Sequence, residues 1–356
     1  MLYTYLGYGI IIFMISLLKR IFKSGKLKYN EDYQPEVTLF IAAYNEKDFI
    51  DSKIQNSFLL DYPSSKLHFL CVTDGSDDGT PEILKKYKNV QVLHEAERNG
   101  KIGAINRGMK YVNTPIVVFS DCNTILPANA IRDIVQQFSI PNVGCVAGEK
   151  RITNNKKDGA VNAGEGFYWK YESLLKRLES HVYSAMGAVG ELFAIRKELF
   201  RNVEKDTLLD DFMISMRIAL QGYKISYTPH AYAIENASIN AKEELKRKVR
   251  ISAGGIQSML RLKPLFNIFK YPVLGFQFIS HKVLRWTLVP LAFPIIFFIN
   301  LYLIFKMPVF SLYHYIFTAQ ILFYIFVFLG KTLGNHKIGS KLIFIPYYIF
   351  FMNYAV

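Results

Sequence analysis

The chain has 356 residues, 51% of them apolar, a formal net charge of +14 and three cysteines. Its length fits one large domain or two ordinary ones, and its apolar residues are unevenly spread. The charge raises nucleic acid as a partner, but the excess gathers beside long apolar runs instead of forming a basic face, and this excludes it.

Residues 2–18, "LYTYLGYGIIIFMISLL", carry no charge and nearly reach the length of a membrane-crossing helix. They lack a small-residue cleavage site, and the basic flank follows the run, so the segment reads as a retained anchor. Lys19, Arg20, Lys23, Lys26 and Lys28 place that flank in the cytoplasm.

From residue 36 to about 230, short apolar runs alternate with helix-like stretches. The segments 37–43, 67–73, 90–93, 116–120 and 143–148 are short, mostly apolar and bounded by turn residues, as buried strands are. Thr80-Pro81 and Leu126-Pro127 place prolines where a first helical turn tolerates them. The alternation predicts a mostly parallel α/β sheet covered on both faces.

In such a sheet, ligands bind beyond the carboxyl ends of the strands. The first strand ends in "AAYNE", with Tyr44, Asn45 and Glu46; the second runs into "TDGSDDGT", with Asp74; the fourth ends in "SDCNT", with Asp121 and Asn123. Most of "GSDDGT" also reads as turn and cap, and Asp121, Asn123 or Thr124 could cap a helix starting near Pro127. The irregular "RNGKIGAINRG" at 98–108 is no phosphate loop, and no GxGxxG follows the first strand, which argues against a P-loop enzyme and an ordinary dehydrogenase. A nucleotidyltransferase would carry a glycine-rich basic loop where this chain has "YNEKD".

Further along, residues 162–200 hold Tyr168, Trp169 and Tyr171, which read either as core or as a stacking platform for sugar rings, and a loop flanked by Gly187 and Gly190 that leads to Glu191. "LLDDFMISMRIALQGY" predicts a helix with Asp210 and Asp211 in its first turn, where capping and the helix dipole account for acids as well as chemistry does. Lys242 to Lys270 then carries eight cations against Glu243 and Glu244, a headgroup-binding surface ahead of further apolar runs. Those runs cover 286–305, 309–329 and 342–356, and with Lys331, His336, Lys337 and Lys341 in the second gap they predict four spans and a cytoplasmic segment from about 30 to 280. Cys71, Cys122 and Cys145 then lie in a reducing compartment, where an odd count needs no disulfide.

In their order these motifs resemble the membrane-embedded family 2 glycosyltransferases, the group of cellulose, hyaluronan and poly-N-acetylglucosamine synthases. The matching elements are "AAYNE", the "DGS" turn, "DCN" at 121–123, "LDD" at 209–211 and "KRKVRI" at 246–251, and together they cover nearly the whole chain. The resemblance implies a GT-A catalytic domain at 36–240, an N-terminal transmembrane helix at 1–20, interface helices at 241–280 and about three C-terminal spans at 281–356. It implies an inverting enzyme at the inner or plasma membrane that takes a sugar from a UDP-sugar and adds it to a growing polysaccharide or lipid-linked glycan. A polyprenyl-phosphate glycosyltransferase and an inactive nucleotide-binding subunit are the alternatives.

By the same resemblance, Tyr44, Glu46 and Asp74 hold the nucleotide, Lys101 contacts it, and Asp121 and Asn123 hold Mg²⁺ or Mn²⁺ on the diphosphate. Asn123 stands where the family has an acid, so the ion relies more on Asp121, the diphosphate and water. Asp211 is the base and Asp210 its partner, while Arg247 and Arg250 face the leaving group. Trp169 and Glu191 meet the acceptor. Lys246 and Ile251 replace the Gln and Trp of the basic motif.

Overall fold

The computed structural model describes residues 1–22, 29–30, 32–153, 160–236, 241–333 and 341–356, with backbone alone for a few residues at segment ends. Lys23, Lys26, Lys28, His336 and Lys337 lie outside the described residues, as do the side chains of Lys242, Glu243 and Lys341.

Seven strands form one mixed sheet: β1 (Val37–Ala43), β2 (Leu67–Asp74), β3 (Val90–Glu95), β4 (Ile116–Ser120), β5 (Val143–Thr153), β6 (Leu192–Arg196) and β7 (Lys224–Asn236), in the order β3-β2-β1-β4-β6-β5-β7. All pairings are parallel except those of β6, which runs against both β4 and β5. The helices of this part are α1 (Tyr8–Phe22, preceded by a π-turn at Tyr3–Gly7), α2 (Lys47–Phe58), α3 (Thr80–Leu84), α4 (Gly100–Gly108), α5 (Ala130–Gln136), α6 (Ala160–Val182) and α7 (Asp210–Leu220). Beyond β7 follow α8 (Ala241–Arg261), α9 (Pro272–Phe278), α10 (Leu284–Trp286), α11 (Leu288–Lys306), α12 (Leu312–Leu333) and α13 (Lys341–Tyr354).

Alternation along the strands divides the core between the two faces of the sheet. Phe40, Leu70, Val72, Val117 and Phe119 join α4 and α7 on one face, whereas Leu39, Ile41, Cys71, Ile116 and Val118 join α2 and α5 on the other. Each such side chain contributes roughly 1.5–3 kcal/mol on burial. The strands expected at 37–43, 67–73, 90–93, 116–120 and 143–148 are present, several of them longer than expected, whereas β6 and β7 were not anticipated. The helix expected near Pro127 begins only at Ala130.

Lys53 is the polar bolt of this scaffold. It is fully buried in α2 and donates to Ser120 Oγ (2.7 Å), the Thr124 carbonyl (2.9 Å) and Thr124 Oγ1 (3.0 Å), tying α2 to the turn that follows β4. Burial pulls its pKa down to about 8. Lys53→Ala leaves a cavity and removes the donor from these acceptors, and is expected to cost about 3 kcal/mol. Lys53→Met fills the volume and should cost about half of that, as thermal melts of the two variants can establish.

Tyr3–Phe22, Leu288–Lys306 and Leu312–Thr332 are helices long and apolar enough to cross a membrane. Among the described residues α13 has 14, fewer than the roughly 20 that a span needs. Tyr8 and Ile12 of α1 pack on Leu175 and Leu178 of α6, while Leu6, Ile10 and Phe13 on the other faces of this N-terminal helix stay exposed. All three cysteines are free and buried.

Candidate active site

The carboxyl edge of the sheet collects its polar groups through side-chain braces between loops. Asn45, at φ 53°, exchanges hydrogen bonds with Asp77, through Nδ2 to Oδ1 (3.0 Å) and from the Asp77 amide to its own Oδ1 (3.1 Å). Ser76 Oγ and Thr80 Oγ1 accept from the Asn45 and Glu46 amides. The loop after β1 is thereby locked to the loop after β2, and Glu46 is held half-buried at the head of α2. Burial raises the Glu46 carboxyl, and the charges of Asp121 and Asp78 raise it further.

Asp74 closes β2 with only 4% of its side chain exposed. Its Oδ2 accepts the Asn99 amide at 2.9 Å and its Oδ1 lies 3.4 Å from Arg107, so it fixes the turn into α4. Next to Asn99, the Arg98 guanidinium stacks 3.7 Å from the centroid of the Tyr44 ring. Tyr44 and Asp74 thus meet at the start of the helix that carries Lys101.

Lys101 is the hub. Its Nζ lies 2.8 Å from Asp121 Oδ1 at the end of β4 and 3.4 Å from Asp210 Oδ2 in the first turn of α7. A third element arrives because β6 is antiparallel: Leu192 pairs with Ser120, so the residues that precede β6 emerge at the carboxyl edge of β4. Ser120 Oγ donates to the Glu191 carbonyl at 3.1 Å. A Cβ built on Gly190 would lie 3.4 Å from Lys101 Nζ, 3.6 Å from Asp211 Oδ2 and 3.7 Å from Asp121 Oδ2, so three charged groups surround the missing side chain. Gly190→Val is expected to fold while losing at least about tenfold in turnover, because its methyl groups fill the space between these charges. Unchanged kinetics would show that space to be idle.

Asp211 stands apart electrostatically. Burial, reinforced by the neighbouring Asp210 charge and opposed by Lys101, pushes its carboxyl up to about 7. Asp121 is also raised, by burial first, against the pull of Lys101. Glu191 moves the other way: burial would lift it, but Lys150 and the hydrogen bond from Lys150 hold it at about 2.

Lys150, with 2% of its side chain exposed, bonds to both Glu191 and Glu235 and sits 5.2 Å from the Trp169 ring centroid. Asn123 Nδ2 donates to Glu235 Oε1 at 3.1 Å. The structure therefore brings together Lys101, Asp121, Asp210 and Asp211, with Glu46 and Glu191 within electrostatic reach, and joins Asn123 and Trp169 to them through Glu235 and Lys150. Arg247 binds Glu244 of its own helix, and its charge reaches Glu191 and Glu235. Arg250 is exposed on α8 and is not among the groups brought together.

Sequence reasoning missed Lys150, Glu235 and Arg98. The first two lie within the carboxyl-terminal halves of β5 and β7, in the stretch that runs on past the last pairing of β5 with β6. Among the described residues no cluster of three or more His, Cys, Asp or Glu forms a ready metal cage.

Residues 38–203 match the family described as glycosyl transferase family 2. A poly-beta-1,6-N-acetyl-D-glucosamine synthase of Staphylococcus aureus is 28% identical over 262 residues, which cover 71% of this chain and 62% of that protein. The chain therefore spans less than two thirds of that relative's length. The Staphylococcus epidermidis synthase is 24% identical over 293 residues, 79% of this chain and 70% of that one. Among solved structures, a mannosyltransferase from Pyrobaculum calidifontis in complex with GDP-Man and Mn²⁺ superposes with a TM-score of 0.71 at 22% identity, covering 98% of this chain and 96% of that one. The last likeness bears out the GT-A-like α/β fold. The family match runs from β1 through β6 and takes in the acidic ends of β2 and β4, so over residues 38–203 the chain is similar to glycosyl transferase family 2.

Proposed function

We propose that the chain transfers a sugar from a UDP-sugar to a glycan hydroxyl at the cytoplasmic face of the membrane and inverts the anomeric carbon. In the step, the acceptor hydroxyl attacks the anomeric carbon from the face opposite the diphosphate. The bond from that carbon to the diphosphate oxygen breaks, the acceptor proton passes to Asp211, and the nucleoside diphosphate departs. The observation that supports this best is Asp211: a carboxyl with a pKa near 7 beside Gly190 suits a general base at neutral pH.

Asp210 supplies part of that shift, and its Oδ2 is buried without a hydrogen bond. Lys101 is assigned to a phosphate oxygen, and Tyr44, Glu46 and Asp74 to the nucleotide end. Arg247, on α8, whose charge reaches Glu191 and Glu235, is assigned to the departing diphosphate, which gains charge as the bond breaks. Trp169 and Glu191 are assigned to the acceptor.

A divalent cation fits this donor set. The acids Glu46, Asp121, Asp210, Asp211 and Glu191 outnumber Lys101 and Lys150 around them, and all offer hard oxygen. Asp121 would hold Mg²⁺ or Mn²⁺ with Asn123, whose Oδ1 remains an acceptor while its Nδ2 serves Glu235. When bound, the ion offsets charge on the diphosphate.

The three membrane-length helices support residence in a membrane, and the cations after the first of them support a cytoplasmic catalytic domain. The relatives favour a polysaccharide as the final product. Nucleoside diphosphate release should be measured with UDP-glucose, UDP-N-acetylglucosamine, UDP-galactose, UDP-glucuronate and GDP-mannose. Turnover with a UDP-sugar is expected, and turnover with GDP-mannose alone would overturn the choice of nucleotide.

The pH profile follows from Asp211. Below about 7 its carboxyl carries the proton and cannot accept another, so turnover should fall close to tenfold per unit on the acid side and level off above. A flat profile from pH 5 to 8 would remove Asp211 from the role.

A further inference from the structure

The turn that delivers Asp210 and Asp211 is not secured from within. Leu209, at the N-cap of α7, makes no side-chain capping bond, and Asp211 spends Oδ1 on the Phe212 amide. The segment ahead of them, residues 204–209, lies in no helix or strand. Its fixed points come from α8. Gln257 lays its amide group alongside the chain: Oε1 accepts the Leu208 amide at 3.1 Å, and Nε2 donates to the Asp206 carbonyl at 2.9 Å. A neighbouring strand would supply such a pair of bonds, and here one side chain does. One turn further along, Arg261 donates to Thr207 Oγ1 and to Asp206 Oδ2, both at 2.7 Å. Gly254, on the same face of α8, lets the backbones approach, since a Cβ there would lie 2.6 Å from Leu209 Cγ and 2.9 Å from Leu208 Cβ.

The other end of the turn is held as well. Trp286, the last residue of α10, meets Phe212 edge-on at 5.5 Å and packs against Gly255, where a Cβ would come within 2.6 Å of its ring. The two acids therefore take their support from α8 and α10, which follow the last strand of the sheet. The residues assigned to the donor do not share it: Tyr44, Asp74 and Lys101 are set by the loops after β1 and β2 and by the start of α4. Within the support, the contacts differ in weight. Asp206 has 71% of its side chain exposed, so water screens its ion pair with Arg261, whereas both Gln257 bonds go to backbone.

We propose that Gln257 is a positioning residue for the base: by holding residues 206 and 208 it sets where the Asp211 carboxylate points, and so governs the transfer step without touching donor or acceptor. The inference rests on the transferase reading above and concerns how its base is aimed. A base displaced by about 1 Å loses on the order of 10²-fold in rate, and Gln257 pins the chain just ahead of Asp210 and Asp211. Arg261 and Trp286 support the same turn to a lesser degree.

The test uses the full chain in lipid vesicles, with UDP release as the assay. Gln257→Met keeps the length and helix propensity of the side chain and removes both bonds. Its kcat should fall at least about tenfold, while KM for the UDP-sugar and the affinity for UDP stay within about twofold. Hydrogen exchange should quicken at residues 206–212 and stay unchanged in β1 and β4. Gln257→Glu keeps an acceptor for the Leu208 amide and loses the donor to Asp206, so its kcat should lie between those of wild type and Gln257→Met. Arg261→Met should cost less than Gln257→Met, and Leu260→Ala, on the exposed side of α8, should match wild type. Wild-type kcat in Gln257→Met, an equal loss in kcat and in UDP affinity, or faster exchange throughout the sheet would overturn the proposal. Absence of UDP release by wild type from every donor would instead remove the transferase reading itself.

Discussion

Replacing Asp211 with asparagine is expected to abolish transfer, by about 10²–10⁴-fold for loss of a general base, while nucleotide binding survives. The amide cannot take the acceptor proton, but it preserves shape, and its Oδ1 can still accept the Phe212 amide that Asp211 Oδ1 accepts at 2.8 Å. Stability should move the opposite way. The folded carboxyl titrates near 7 and an unfolded aspartate near 3.9, so between these values the native state binds more protons and stability falls as pH rises. Asparagine removes that penalty. At pH 8 the variant should therefore be more stable by about 2 kcal/mol, and the gap should narrow toward pH 5 as wild type recovers its proton. Parallel melts at the two pH values, with isothermal titration of UDP, check both halves. Normal turnover would refute the base, and a variant less stable than wild type at pH 8 would refute the electrostatic account.

The same residue shows what was legible before any coordinates. Two adjacent acids opening a helix are read equally well as caps, and only the surroundings separate the readings: Asp210 faces Lys101, while Asp211 is raised by burial. The parallel strands were legible because burial on both faces leaves an unbroken apolar run, as in β1 and β4. Pro229 obscured β7, since proline argues against a central strand; the structure accommodates it where the pairing with β5 shifts register between Ala147 and Glu149. With β7 unseen, Glu235 had no strand end to mark it. For β6, "LFAIR" is brief and runs into "KELF", a pattern compatible with a helix, and its antiparallel insertion depends on contacts distant in sequence. Lys150 illustrates the same limit. Its partners Glu191, Glu235 and Trp169 come from three other segments, and no local pattern announces them.

Gly187→Ala should be the most damaging small change near the site. Gly187 adopts φ 89°, where a side chain costs about 1–2 kcal/mol. An added Cβ would also lie 2.2 Å from Phe212 Cδ2, which no contact tolerates. Phe212 has little room to yield, because it is 6% exposed and meets Trp286 edge-on at 5.5 Å. The loop cannot easily swing away either, since the Ala188 amide donates to Ser215 Oγ at 3.0 Å. Strain and overpacking together should cost about 3 kcal/mol. The displaced Phe212 carries the adjacent Asp211 with it, and a shift near 1 Å at a reacting group lowers turnover about 10²-fold. The double variant Gly187→Ala with Phe212→Leu separates the two causes. Leucine relieves the collision but not the backbone strain, so about half of the lost stability should return. No recovery would place the whole cost in the backbone, and full recovery would show that φ at this position carries none of it.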